Sequence, residues 1–158
     1  MSIPGSVDVT RKVRFCAAHR YHRKDWTPEK NREVFGACNN PYGHGHNYEL
    51  EVTIRGSVDP LTGMVINLRR IDEILREKIV SRFDHRHINE EVEGFKDNIP
   101  TTENLAVYIW NLIEPEFSKE EVQLSRVRLR EDSFLYAEYR GESSVSYTHL
   151  TLPTNREV

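Results

Sequence analysis

Three histidines in this sequence have a spacing that suits metal chemistry: His19, His44 and His46. His44 and His46 begin an alternating apolar segment, so on a β-strand their side chains project from the same face. His19 ends an earlier alternating segment, and antiparallel pairing of the two strands would bring all three imidazoles together. Three neutral imidazoles suit a catalytic zinc ion with an open fourth position. Hydrogen-bonded core histidines are the alternative, and we favour the metal.

Cys38 lies shortly before this histidine pair, in the segment CNNPYGH. A nearby zinc ion would lower the pKa of its thiol and make the thiolate a usable base. The alternative is a buried, inert thiol, which is the common state of a free cysteine. We expect that inert state for Cys16, which lies inside the first alternating segment.

A carboxylate and an imidazole are adjacent at Asp84 and His85, in the segment RFDHRHIN. A carboxylate beside a histidine can orient the ring and stabilise its cation, which gives a proton donor near neutral pH. His87 competes for the same role. A polar helix end without a catalytic function is the alternative.

Glu131 lies on the apolar face of a predicted strand, together with Val127 and Leu129. A carboxylate in that position is costly unless it is paired, and it could accept two adjacent N–H donors of a ligand. The alternative is a strand-end carboxylate turned to solvent. Thr101 and Thr102 are explained by capping of a helix, although a helix start can also line a ligand pocket.

The elements that must position these residues follow the order strand, strand, helix, helix, strand, strand. Alternation predicts strands over residues 7–20 and 44–54, and in VQLSRVRLRE and FLYAEYRG. Apolar spacings of three and four predict helices in NLRRIDEILREKIVSRF and PTTENLAVYIWNLIEPEF. Residues 21–43 are predicted to form a long loop. This order indicates an α+β fold, with helices covering one face of a four-stranded antiparallel sheet.

The composition suits one soluble domain, with 158 residues, 37% hydrophobic and 30% charged residues. The net charge of −3 provides no basic field for nucleic acid. No apolar run reaches the roughly 20 residues of a membrane span, and no secretory signal is recognised, so we expect a cytoplasmic protein without a membrane partner. We expect one domain over residues 1–142 and place the Ser- and Thr-rich tail 143–158 outside it.

Five segments together resemble the 6-pyruvoyltetrahydropterin synthase family: FCAAHR, FGACNNPYGHGHNY, DPLTGMVINL, DHRHIN and PTTENLAVYIW. The resemblance implies a T-fold, in which two helices lie on a four-stranded antiparallel sheet. It also implies a homo-oligomer, since subunits of that family join into trimeric barrels that stack into hexamers. The unpaired edges of a four-stranded sheet are compatible with such an assembly.

The resemblance implies a zinc-dependent carbon–oxygen lyase of tetrahydrobiopterin biosynthesis. The implied substrate is 7,8-dihydroneopterin triphosphate, from which triphosphate is eliminated while hydrogens are redistributed between side chain and ring. His19, His44 and His46 match the zinc ligands, and Cys38 matches the catalytic proton acceptor. Zinc would hold the side-chain hydroxyls and acidify the adjacent C–H bonds.

The resemblance also implies roles for the remaining candidates, at sites expected on subunit interfaces. Asp84 and His85 match the catalytic acid–base pair. Glu131 matches the carboxylate that anchors the pterin ring and is coupled to the proton relay. Thr101 and Thr102 match the threonines of the pterin pocket. The residues after Glu131, DSF, depart from the family pattern.

Alternative functions are kept beside this one. The sister enzyme 6-carboxytetrahydropterin synthase, of queuosine biosynthesis, uses the same substrate, but the spacer NNPYG between Cys38 and His44 is more similar to the pyruvoyl enzyme. Magnesium could assist at the triphosphate, and we assign no residue to it. A zinc-stabilised interaction module would want a fourth protein ligand. A redox protein would use Cys16 and Cys38.

Overall fold

The fold consists of a mixed β-sheet with helices packed on one face. The computed structural model describes residues 5–141. Its strands are β1 (Val7–His19), β2 (His44–Gly56), β3 (Arg86–His87), β4 (Gln123–Asp132) and β5 (Leu135–Tyr139). Their order across the sheet is β3-β1-β2-β4-β5. The tail 143–158, which we placed outside the fold, falls outside the described residues.

The helices in residues 5–141 are α1 (Pro28–Phe35), α2 (Leu68–Leu75), α3 (Ser81–Phe83), α4 (Ile88–Glu91) and α5 (Thr102–Lys119). Three of these five helices, α1, α2 and α5, begin at a side-chain cap. The side chain of Asn67 accepts a hydrogen bond from a backbone N–H in the first turn of α2, and that of Thr101 does so for α5. Such caps satisfy N–H groups that a helix start leaves without a partner.

The antiparallel pairing of β1 with β2 extends over the whole length of both strands. Its register places His19 opposite His44 and Ala17 opposite His46. Residues opposite each other on paired strands project from the same face of the sheet. The hairpin therefore carries all three histidines on one face, at the end where β1 finishes and β2 begins.

The core lies between this face of the sheet and the helices. Phe15 stacks on Phe83 and on Tyr48, with ring centroids 5.2 and 5.1 Å apart. The other fully buried apolar side chains of the strands and helices include Leu50, Val52, Ile54, Ile71, Leu75, Ile79, Leu105, Ile109, Ile113, Val127 and Leu129. This burial confirms the α+β arrangement with helices on one side.

A π-helical segment, Arg76–Val80, joins α2 to α3 within what the sequence predicts as one helix. Leu75 and Phe83 are both fully buried although they are eight residues apart. In an uninterrupted α-helix such residues would point about 80° apart around the axis. The wider π turn reduces this angle, so that both side chains can face the sheet.

Three sequence-based expectations about the fold are corrected. The sheet has five strands rather than four, because the two-residue β3 pairs in parallel with Ala17 and Ala18 of β1. Residues 21–43 are not one loop, since α1 and a 3₁₀ turn, Gly36–Asn39, lie within them. Cys16 is exposed rather than buried, because it alternates with the core-facing residues of β1.

The sheet face opposite the helices is covered by charged side chains. Glu49 of β2 lies 3.4 Å from Arg14 and 3.6 Å from Lys12 on β1. Glu51 lies 3.6 Å from Arg126 on β4. The charged residues at alternate strand positions pair with each other across the strands. This face therefore presents charged rather than apolar side chains, and it can face solvent without a covering helix.

The sheet edges of the described chain are incompletely paired. β3 covers two residues of β1, and β5 has β4 as its partner on one side. Edges of this kind are often covered by a neighbouring subunit. Among residues 5–141, none of the helices combines the length and the apolar character needed to cross a bilayer.

The central strand is expected to dominate stability. Leu50→Ala removes a fully buried side chain from β2 and should lower the free energy of unfolding by about 2–5 kcal/mol. Leu61→Ala makes the same change at a position that is 94% exposed, and should alter stability by no more than about 0.5 kcal/mol. Urea unfolding at one protein concentration measures both, and equal losses would contradict the assigned core.

Candidate metal centre

The three histidines at the end of the β1–β2 hairpin form one compact group. The ring centroids of His19, His44 and His46 are 4.9 to 5.0 Å apart. One nitrogen from each ring lies within 4.8 Å of the other two. This is the spacing at which three imidazoles can share one small cation.

A hydrogen bond to Tyr48 orients the buried member of the group. The Tyr48 hydroxyl and His19 Nδ1 are 2.7 Å apart, and both side chains are fully buried. When His19 carries its proton on Nδ1, it donates to this hydroxyl and keeps the Nε2 lone pair free. Metal-binding histidines are commonly held by such a bond from the second ring nitrogen.

Two buried nitrogen atoms of the group have no hydrogen-bond partner among the residues that the structure describes. They are Nε2 of His19 and Nε2 of His46. Burial, followed by the positive charges that His46, His44 and His87 would carry, lowers the pKa of His19 to about 3. A neutral imidazole with an unused lone pair fits a metal ligand, so the donor set fits the zinc ion that the sequence suggests.

Glu131 lies beside these nitrogens and is also buried. Its carboxylate oxygens are 3.9 Å from His19 Nε2 and 3.7 Å from His46 Nε2, which is too far for a hydrogen bond. Thr102 Oγ1 donates to Glu131 Oε1 at 3.1 Å, and the Tyr21 hydroxyl donates to the same oxygen at 3.4 Å. Oε2 is therefore the oxygen with fewer protein donors, and it can accept from a bound molecule.

The two threonines have different positions. Thr102 is buried and its hydroxyl contacts Glu131, so it is part of this polar cluster. Thr101 is the N-cap of α5, and its hydroxyl accepts from the backbone N–H of Asn104. The structure thus joins Thr102 to the site and gives Thr101 the capping role that the sequence also suggested.

Cys38 lies in the 3₁₀ turn that precedes β2, and its thiol is half-buried. Its carbonyl oxygen accepts from the backbone N–H of Tyr21 at 2.8 Å, which holds the turn against the end of β1. Burial and the negative charge of Glu131 raise the pKa of the Cys38 thiol. The protein groups alone therefore oppose formation of the thiolate, and a nearby dication would be needed to favour it.

Asp84 and His85 are not brought to the three histidines of the same chain. His85 Nδ1 lies 3.0 Å from Asp84 Oδ2, so the two form a pair, and the His85 side chain is 82% exposed. Asp84 shares a depression with Cys16 and Asn47, on the charged face of the sheet. The backbone N–H of Cys16 and the contact with His85 hold the pKa of the Asp84 carboxyl below its usual range.

His87 is the histidine of this segment that lies on the side of the metal group. A Cβ on Gly43 would come within 3.0 Å of His87 Nε2 and 2.8 Å of the His19 carbonyl oxygen. Gly43 also has a φ of 73°, so this close approach requires glycine. His87 thus adjoins the turn that leads into His44.

Sequence reasoning did not identify Tyr48 and Tyr21 as functional residues. Tyr48 alternates with His44 and His46 along β2, and a hydroxyl on that apolar face could have signalled a buried partner. Tyr21 follows β1 without any pattern, and only the folded chain brings its hydroxyl to Glu131.

Comparisons with known proteins agree with this fold. A family model described as 6-pyruvoyl tetrahydropterin synthase matches residues 8–142. A 6-pyruvoyl tetrahydrobiopterin synthase of Poecilia reticulata is 52% identical over 103 residues, which cover 65% of this chain and 70% of that protein. The enzyme of the same name from Drosophila melanogaster is 44% identical over 133 residues, covering 84% of this chain and 79% of that protein.

The chain is also similar to a solved structure and to a relative that is named for a different product. The structure of Caenorhabditis elegans 6-pyruvoyl tetrahydropterin synthase has a TM-score of 0.82 at 35% identity, covering 90% of this chain and 99% of that one. An Archaeoglobus fulgidus protein, provisionally named a 6-carboxy-5,6,7,8-tetrahydropterin synthase, is 36% identical over 97 residues, which cover 61% of this chain and 75% of that protein. The family model and the long matches to relatives of this name show that the chain belongs to the 6-pyruvoyl tetrahydropterin synthase family.

Proposed function

We propose that this protein is a zinc-dependent lyase that converts 7,8-dihydroneopterin triphosphate to 6-pyruvoyltetrahydropterin and triphosphate. The observation that carries the proposal is the group of His19, His44 and His46, with two buried nitrogens beside the Glu131 carboxylate that have no hydrogen-bond partner in the described part of the chain. The membership of the chain in this family supplies the substrate class. No external oxidant is needed, because the hydrogens lost from the side chain of the substrate are gained by its ring.

The three histidines would hold the zinc ion, and Tyr48 would keep His19 in the tautomer that binds it. A bound zinc ion supplies Lewis acidity, which polarises the side-chain hydroxyls of the substrate and acidifies the adjacent C–H bonds. The three-histidine ligand set leaves a fourth position for those hydroxyls, and this distinguishes the site from a purely structural one.

Glu131 would bind the pterin ring. Thr102 and Tyr21 both donate to one carboxylate oxygen, and these bonds fix the orientation of the carboxylate. Burial and the charge of Glu131 raise the pKa of Tyr21, so the phenol remains a neutral donor to this carboxylate. The other oxygen then accepts from ring N–H groups at a fixed distance from the histidines, which places the substrate side chain at the metal.

Cys38 would act as the proton acceptor, and the pair of Asp84 and His85 would exchange the second proton. Because this pair lies across the sheet from Cys38 of the same chain, we propose that a neighbouring subunit supplies it. The incompletely paired sheet edges would allow that assembly, as a trimer or hexamer. The ionised Asp84 would stabilise the imidazolium form of His85.

The 6-carboxy product of queuosine biosynthesis remains the second candidate, because the archaeal relative carries that name. We propose the pyruvoyl product because relatives with higher identity and longer matches are named for it. A cytoplasmic location and magnesium assistance at the triphosphate remain predictions.

Zinc binding is tested first. The purified chain should hold about one zinc ion per subunit. Tyr48→Phe removes the hydrogen bond to His19 but keeps the ring, and should weaken zinc binding by about 10–100-fold in competition with a chromophoric chelator. Tyr42→Phe makes the same change at a tyrosine that is 90% exposed, and should leave zinc affinity unchanged.

Glu131→Ala should retain zinc, and loss of the ion would identify Glu131 as a ligand instead of the ring anchor.

The reaction is tested with 7,8-dihydroneopterin triphosphate and mass measurement of the product, which separates the pyruvoyl from the carboxy compound. Cys38→Ala should keep its zinc and lower the rate of triphosphate release by at least about 100-fold. Cys16→Ala is the matched control and should retain activity. Normal turnover by Cys38→Ala would refute the assigned base, and dependence on both thiols would favour redox chemistry.

The shared site is tested by mixing two inactive variants. Cys38→Ala and His85→Ala chains, unfolded and reassembled together in equal amounts, should recover about a quarter of wild-type activity, because random mixing leaves that share of interfaces with both residues intact. Each variant reassembled alone should stay inactive. If the mixture is also inactive while its oligomers form normally, both residues belong to a site within one chain.

A further inference from the structure

A cavity of about 560 Å³ lies beside the histidine group. Arg20, which directly follows His19, lines one side of it, and Tyr42, two residues before His44, lines another. His87, which adjoins Gly43, also lines it. The cavity is therefore next to the candidate metal site, and its lining does not include Glu131 or Thr102.

Cationic side chains dominate the lining of this cavity. Arg20, Lys24 and Lys96 carry positive charge and Glu90 is the one carboxylate, which leaves a formal excess of two positive charges. Burial and the positive charges of Arg20 and Lys24 lower the pKa of His22, which lies in the same wall. A concave surface with such an excess attracts polyanions.

Hydrogen bonds hold Arg20 in place, and no carboxylate of residues 5–141 pairs with its side chain. Its Nε donates to the Asn39 carbonyl oxygen at 3.0 Å. The Asn89 side chain clamps its backbone, since it accepts from the Arg20 N–H and donates to the Arg20 carbonyl, both at 2.8 Å. Within residues 5–141, the terminal guanidinium nitrogens have no acceptor and no ion pair. A preorganised, uncompensated guanidinium is well suited to bind phosphate oxygens.

Lys24 and Lys96 add positive charge to the cavity, and acidic side chains of the described residues compensate little of it. Lys24 lies 3.9 Å from Asp97, but both side chains are at least 80% exposed, so this pair is weak. In the part of the chain that the structure describes, Lys96 forms no ion pair. His87 contributes a further unsatisfied group, because its Nδ1 is buried without a partner among the described residues.

The order of these sites matches the order of groups in a pterin that carries a phosphorylated side chain. The ring would lie at Glu131, the hydroxylated carbons at the three histidines, and the phosphates beyond them. We infer that the cavity lined by Arg20, Lys24 and Lys96 binds the triphosphate chain of the substrate and retains it as the leaving group. This inference rests on the proposed function, which supplies the pterin and its triphosphate.

Inorganic tripolyphosphate is the probe for this inference, titrated into the zinc-loaded protein and followed by calorimetry at low salt. Lys24→Ala/Lys96→Ala removes two exposed charges and should weaken tripolyphosphate binding by about tenfold. Arg20→Gln should weaken it at least as much. The affinity for neopterin, which lacks phosphate, should stay the same in the double-lysine variant. Zinc content measured after each titration excludes stripping of the metal by the probe.

The matched control is Lys78→Ala/Lys119→Ala, which removes two lysines near Glu116 on the helical layer. Lys119 ends α5 about 25 Å along the helix axis from Thr102. This variant should bind tripolyphosphate as the wild type does.

Kinetics separate the inference from the proposed function. With the pterin triphosphate as substrate, Lys24→Ala/Lys96→Ala should raise KM by about the same tenfold and change kcat little, because the lost contacts are present before and during the reaction. Tripolyphosphate binding that is equal in the wild type and the double-lysine variant would overturn the inference, whatever the turnover. Weaker binding in that variant, together with a wild type that forms no product, would support the polyanion site and refute the proposed reaction.

Discussion

The register between β1 and β2 is the constraint on which the candidate site depends. It places His19 opposite His44, and His46 on the same face two residues further along. A register shift of one residue would move His19 to the charged face of the sheet, away from His44 and His46. The register is held by the buried residues of both strands, and the hydrogen bond between Tyr48 and His19 then selects the ring orientation. Packing and chemistry therefore specify the same alignment.

The two faces of the sheet divide the chemistry between them. The helix-covered face holds His19, Glu131 and Thr102 in a buried environment, with His44 and His46 half-buried beside them. The opposite face carries ion pairs and, at its edge, the exposed pair of Asp84 and His85. Under the proposed function, a single chain carries both halves of the acid–base site, and their separation is the reason for proposing that a neighbouring copy combines them.

The electrostatics of the site favour a bound dication. Burial lowers the pKa of His19 and raises that of Cys38, so the first stays neutral and the second stays protonated in the protein alone. A zinc ion would accept the imidazole lone pairs and would stabilise the Cys38 thiolate. Metal binding would thus offset the cost of burying these two groups and make the thiol a usable base. Arg20, Lys24 and Lys96, which line the cavity beside the histidines, would complement the negative charge of a phosphorylated ligand.

The sequence by itself determined the α+β class, the two long strands and the residues of the histidine group, because these depend on periodicity and on short motifs. It missed β3, which has only two residues, and it missed α1, although Thr27 and Pro28 form a recognisable helix start. The contacts of Tyr21 and Tyr48 were decided only by tertiary structure, since they join residues far apart in the chain. The exposure of Cys16, by contrast, follows from the alternation along β1. The place of His85 across the sheet was decided only by tertiary structure, like the two tyrosine contacts. Such features depend on which strands are neighbours and on which face is covered, and no local pattern encodes that.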